Sequence, residues 1–152
     1  MARNRFTVTT EGELALASTA AKTALQITAP ANIRTAIKGF SISFDGVSST
    51  AGPAFVEWVR QTSSGSFAAA TAIRDIPSTE TIQTGVRKWT STSTEPSDTG
   101  SIRSYNVHPQ TGIERSYAED EELLIEGSGR LALRVTLSSS GPNLTAFVSC
   151  EE

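Results

Sequence analysis

Reactive side chains are scarce in this 152-residue chain, which has one cysteine, one histidine and one methionine. A single cysteine, Cys150, rules out an internal disulfide. It closes the strand-like run Ala146-Phe147-Val148-Ser149-Cys150, where it reads as a small apolar strand residue rather than a nucleophile. One cysteine and one histidine do not supply a zinc site, which needs several such ligands. The lone histidine, His108, stands before Pro109 at the start of a turn, with no Gly-x-Ser-x-Gly nucleophile elbow in the sequence to pair with it. No catalytic residue, cofactor site or metal site is therefore assigned.

Long apolar runs are also missing. No stretch approaches the roughly 20 apolar residues that span a bilayer. The opening Met1-Ala2-Arg3-Asn4-Arg5 has two positive charges with no apolar run behind them, so it does not read as a secretory signal. The expectation is synthesis in the cytoplasm and no membrane partner. Basic excess is absent too. The net charge is −3 and the sequence pI about 5.2, which argues against nucleic acid as a partner. The acidic run Glu119-Asp120-Glu121-Glu122 lacks the Asp/Asn and Gly spacing of a calcium loop and reads as a solvated turn. Gly127-Ser128-Gly129-Arg130 lacks the lysine and following helix of a phosphate loop. It reads as a tight hairpin turn.

What the chain does have is alternation. Phe40-Ser41-Ile42-Ser43-Phe44 sets three apolar side chains against two serines, and Leu131 to Leu137 repeats the pattern with larger residues. An extended strand points successive side chains to opposite faces, so each run makes one apolar and one wet face. Serine and threonine form about a quarter of the chain, which suits strands, turns and solvated faces. Ala20 to Gln26 is open to helix or strand, and the alternation of Leu25 and Ile27 favours strand. Phe55 to Thr62 carries large apolar groups on both faces, which predicts cover on both sides, from a long loop or a neighbouring subunit. No helical period lasts long enough for βαβ units. The pattern predicts an all-β, single-domain antiparallel β-sandwich, jelly-roll-like, of about eight to ten strands. It is divided into an N-terminal arm, residues 1–6, and a sandwich domain, residues 7–152.

Three segments carry a resemblance: Ala20–Gly46 (AAKTALQITAPANIRTAIKGFSISFDG), Phe55–Ser63 (FVEWVRQTS) and Val107–Val135 (VHPQTGIERSYAEDEELLIEGSGRLALRV). In style of sequence, with the short Arg- and Thr-bearing opening, they resemble small virion proteins of tailed bacteriophages, of the head decoration or cement type. The resemblance implies a non-enzymatic structural protein on the capsid exterior of the virion. Its partners would be the major capsid protein and itself, as a homotrimer. Candidate contact residues are Arg3, Arg5 and Phe6 in the arm, which could pair with acidic shell groups or add a strand to a neighbouring sheet. Trp89 joins them, because it follows Arg87-Lys88 in a polar segment. The alternatives are a tail or fibre component, and a carbohydrate-binding sandwich that stacks sugars on Trp58, Trp89, Tyr105 or Tyr117.

Overall fold

The computed structural model describes residues 4–16, 19–45, 52–77, 79–90, 93–138 and 142–152. Among them are thirteen strands and no helix. In chain order these are β1 (Arg5–Thr9), β2 (Leu14–Ala15), β3 (Lys22–Thr28), β4 (Thr35–Asp45), β5 (Ala54–Gln61), β6 (Ala68–Ala69), β7 (Ala72–Arg74), β8 (Gly85–Lys88), β9 (Asp98–Val107), β10 (Ile113–Ser116), β11 (Leu123–Ile125), β12 (Arg130–Thr136) and β13 (Asn143–Glu151). The count exceeds the sequence expectation because β2, β6, β7 and β11 are only two or three residues long. So short a run has no readable period. The ambiguous segment after Ala20 is strand β3, as its Leu25–Ile27 alternation predicts.

The strands form two antiparallel sheets. The pairing is nested: β5 with β9, β4 with β10 and β11, β3 with β12, and β1 with β13. Topologically this is one long antiparallel ribbon whose two arms are β1-β3-β4-β5 and β9-β10-β12-β13. The ribbon is rolled so that β13 also pairs with β4 and β12 also pairs with β5. That connectivity is a jelly roll. One sheet runs β10-β4-β13-β1-β7 and the other β6-β8-β3-β12-β5-β9; we call them the first and second sheets. The turn at Gly127–Gly129, expected to join paired strands, instead carries the chain from β11 in the first sheet to β12 in the second. It is a corner, held by Gly129 N–H donating to the Glu126 carbonyl at 2.8 Å.

The inward residues follow the alternation. Phe6 and Val8 of β1, Ile42 of β4, Leu131 and Leu133 of β12, and Leu144, Ala146 and Val148 of β13 are buried between the sheets. Each such large side chain contributes roughly 1.5–3 kcal/mol through burial. At the centre Phe40 meets the Trp58 ring edge to face, 5.6 Å between centroids. The Trp58 indole N–H donates to the Tyr117 hydroxyl at 3.1 Å, and the hydroxyls of Tyr105 and Tyr117 lie 3.2 Å apart. Burial, then the Tyr105 hydroxyl, pushes the Tyr117 phenol above its ordinary range, so it stays neutral. Along β4 a bulge between Ile37 and Gly39 resets the alternation. Gly39 is required there by close approach: a Cβ would lie 2.6 Å from the Arg115 carbonyl of β10.

Between β5 and β9 the chain makes an excursion, residues 62–97, that extends both sheets: β8 pairs with β3, β6 with β8, and β7 with β1. Carboxylates tie it down. Glu152 accepts from the Gln83 and Thr84 amides at 2.9 and 2.8 Å and from the Thr84 hydroxyl at 2.6 Å. Glu11 accepts from the Thr71 amide at 2.7 Å and pairs with Lys88. Glu95 accepts from the Thr23 amide and hydroxyl at 2.5 and 2.7 Å.

Two predictions follow from these contacts. Tyr117→Phe leaves the Trp58 N–H without its acceptor and should cost about 1–3 kcal/mol, read as a lower urea midpoint at unchanged slope. Hydrogen bonds from Lys88 and Thr71 hold the Glu11 carboxyl at about 2, below its ordinary 4.5. A lowered pKa adds stability that is complete above 4.5 and disappears as pH falls toward 2. Glu11→Gln should therefore melt below the parent protein at pH 6, and the gap between their midpoints should close as pH falls through that window.

Candidate contact surface

The two sheets differ on their outer faces. On the second sheet, Val59 of β5 and Ala132 of β12 are cross-strand neighbours on the side away from the core, yet both are fully buried. Beside them Thr23, Gln26 and Gln61 are buried as well. The Gln26 amide donates to the Gln61 side chain at 2.5 Å and to the Ser63 carbonyl at 3.0 Å, and the Gln61 amide donates to Thr23 Oγ1 at 2.8 Å. Glu95 completes the network through Thr23. Thr62 N–H donates to the Ser97 carbonyl at 3.0 Å. The two ends of the excursion thus lie over this sheet and meet most of its buried polar groups, with the buried Gln26 Oε1 left without a partner among the described residues. The double-sided apolar pattern of Phe55–Thr62 is answered at Val59 by the chain's own loop, while Phe55 at its start stays 38% exposed.

Among the described residues no such layer lies over the first sheet. Its cross-strand rows run Thr9–Phe147–Ser41–Glu114 and Thr7–Ser149–Gly39–Ser116. Five of these eight are serine or threonine, set with Gly39 and Glu114 around one large ring, and Phe147 is 37% exposed. Ile73 on β7, 60% exposed, stands opposite Thr7, and Leu124 on β11, 45% exposed, stands opposite Ala36. A shallow depression of about 290 Å³ lies beside Phe147, lined by Gly39, Arg115, Ser116 and Ser149 among others. At one end of the face Glu151 pairs with Arg5 at 3.0 Å and lies 4.0 Å from Lys38, which also pairs with Glu122.

The residues proposed from sequence are placed differently. Arg3 lies outside the described residues. Arg5 and Phe6, read as an arm, belong to β1, and Asn4 exchanges both backbone hydrogen bonds with Glu152 at 3.0 and 3.1 Å. Arg5 is exposed and ion-paired, but Phe6 is fully buried, opposite Cys150, and is a core residue. Truncation before Phe6 would therefore cut into the sheet. Trp89 is 7% exposed, with Phe67 6.1 Å away and the Lys22 ammonium 4.2 Å over its ring. Its N–H backbone group is tied to the Ala24 carbonyl, so the polar neighbours in sequence did not keep the ring in solvent. Trp58 and Tyr117 are buried and Tyr105 is half-buried against Tyr117, which leaves no open platform among the four aromatics proposed for sugar stacking. Phe147 was legible but passed over: Leu144, Ala146, Val148 and Cys150 point inward, so the residue between them must point out.

The remaining candidates are held by the fold. His108 Nδ1 accepts from the Gln110 amide at 3.3 Å and its carbonyl accepts from Thr111 at 3.0 Å, so it organises its own turn. Cys150 is buried, and burial pushes its thiol well above the ordinary range, keeping it protonated. Among the described residues no three His, Cys, Asp or Glu side chains gather in a metal-binding group.

Searched against family models, curated proteins and solved structures, the chain matches none.

Trp89→Ala should lower unfolding stability by about 3–5 kcal/mol, the cost of an emptied aromatic site. An unfolding midpoint within the error of the parent's would mean that the ring is not part of the core.

Proposed function

We propose that this protein is a non-enzymatic virion component that binds the outside of a tailed-phage capsid and stabilises the shell. The resemblance of its three segments to head decoration proteins supports the class. On the second sheet the chain's own excursion covers Val59 and Ala132, while Phe55 and Ile102 toward its β9 side stay 38% and 40% exposed. The observation that carries the reading is the flat outer face of the first sheet, rich in small hydroxyl side chains and centred on the exposed Phe147. A fold alone does not specify a function, so the argument rests on this face.

Five strands about 4.8 Å apart and about seven residues long at about 3.3 Å each give a face of roughly 550 Å². That is about two-thirds of what one partner contributes to a standard specific interface. One such contact is modest. A protein that binds the assembled shell in preference to its dissociated subunits nevertheless stabilises it by mass action, and several copies held together add avidity. The partner is the major capsid protein, and the face it meets is the first sheet. A tail or fibre component would use the same face, and copy number per virion separates the two, with hundreds favouring the head. Sugar binding is less favoured, because the aromatics it would use are in or against the core.

Phe147→Glu should leave the domain folded, within about 1 kcal/mol of the parent. It should weaken co-sedimentation with purified heads lacking this protein by at least about tenfold, the equivalent of 1.4 kcal/mol. Undiminished binding by the folded variant would refute the assignment of this face.

A further inference from the structure

Among the described residues four sheet edges are open to a further strand, and they are unequal. On the first sheet they are β10 and β11 at one side, four and three residues long, and β7 at the other, three residues long. On the second sheet they are β6, two residues long, and β9, ten residues long. Short edge strands are a common defence against unwanted pairing. β9, at ten residues, lacks that defence. It contains neither lysine nor proline, and Asp98 to Asn106 are all exposed or half-exposed. Register breaks opposite Trp58/Val59 and Arg60/Gln61, with Gly100 at φ +127°, disturb its first half. The second half, Arg103–Val107, pairs regularly with Ala54–Trp58 and leaves an uninterrupted edge of five residues.

Charges of both signs sit beside that regular half. Arg103, Ser104, Tyr105, Arg115 and Glu121 line one open depression of about 370 Å³. The Arg103 guanidinium lies 4.8 Å over the Tyr117 ring and donates to the Glu121 carbonyl at 2.7 Å, which fixes its position. Arg115, Asp120 and Glu121 are exposed, and their side chains make no ion pair among the described residues. The Arg115 guanidinium and the Glu121 carboxylate, lining one depression next to an unpaired strand, can pair with each other's image under a twofold rotation.

We propose that the β9 edge is where a second copy of this chain docks, strand against strand, about a twofold axis near Tyr105. Arg103 then stands opposite Val107 of the partner copy and Ser104 opposite Asn106, and the second sheets of the two copies become one continuous sheet. Arg103, Arg115 and Glu121 line the depression beside the axis, so both copies together place four positive and two negative groups there, and each Glu121 is offered the partner copy's Arg115. The contact refines the self-association part of the reading above. It assigns a twofold contact in place of the threefold one that the resemblance implies. Arg115 lines both this depression and the one beside Phe147, but Phe147 is not on the β9 edge, so Phe147→Glu reads shell binding and the mass of the chain reads the dimer, and the two proposals fail separately.

The test is light-scattering mass and sedimentation of the full chain from about 1 to about 100 μM, the range in which a weak dimer forms. The expected mass rises to twice the 16.1 kDa of the chain. Arg115→Glu alone and Glu121→Arg alone should each raise the dimer dissociation constant at least about tenfold, and the double exchange should restore it to within about threefold. Unfolding curves of these exposed-site variants should overlay the parent's. As a measure independent of substitution, amides in Arg103–Val107 should gain hydrogen-exchange protection as concentration rises. A chain that stays monomeric at 100 μM, a trimer, single exchanges without effect, or a double exchange without rescue would each overturn the proposal.

Discussion

The closure of the rolled ribbon is the constraint on which everything else depends. β13 lies between β4 and β1, and β12 lies between β5 and β3, so each of these strands satisfies hydrogen bonds on both sides. Without the β13–β4 and β12–β5 pairings the ribbon would be a long hairpin with one apolar face in water. Rolling brings that face against itself, buries Phe40, Trp58 and Leu133 together, and turns a chain with few large apolar residues into a domain with a continuous core. The hydrophobic term drives the roll, and the need to pair buried backbone groups dictates its geometry.

Closure leaves two problems, and the excursion between β5 and β9 addresses both. The edges of β1 and β3 would be open, and β7 and β8 occupy them. The outer face of the second sheet carries apolar and amide groups, and the 62–63 and 95–97 segments lie over them. The anchoring is by single carboxylates on backbone amides, at Glu11, Glu95 and Glu152. Charge-assisted bonds of this kind are stronger than neutral ones and fix direction as well as distance. A segment low in apolar residues can be held in place in this way. The same economy leaves the first sheet bare, which is why the contact reading centres there.

Much of the fold was legible in the residues. The alternations at Phe40–Phe44 and Leu131–Leu137 identify strands because the period of a strand is short enough to show in five residues. The doubly apolar Phe55–Thr62 announced cover on both sides; the cover exists over Val59 and is missing over Phe55 among the described residues. The site was less legible. Phe6 and Trp89 have polar or charged neighbours in sequence, and such neighbours say nothing about which strand passes over a ring. Trp89 is buried because Phe67 and Lys22, distant in sequence, converge on it. Arg5 is a sheet residue because Glu151, at the far end of the chain, lies beside it.

Composition and alternation by themselves determined the class of structure: strands, two-layered, with one cysteine and one histidine in ordinary structural positions. Those properties are local, since side-chain direction along a strand depends only on backbone geometry. Strand order, the corner at Gly127–Gly129, the partly covered face and the open one were decided only in three dimensions. They arise from pairings between residues up to 148 positions apart, such as Asn4 with Glu152. No local pattern encodes which of many compatible edges will meet, because every antiparallel edge offers the same donors and acceptors. The choice is made by the one arrangement that buries all the apolar faces at once.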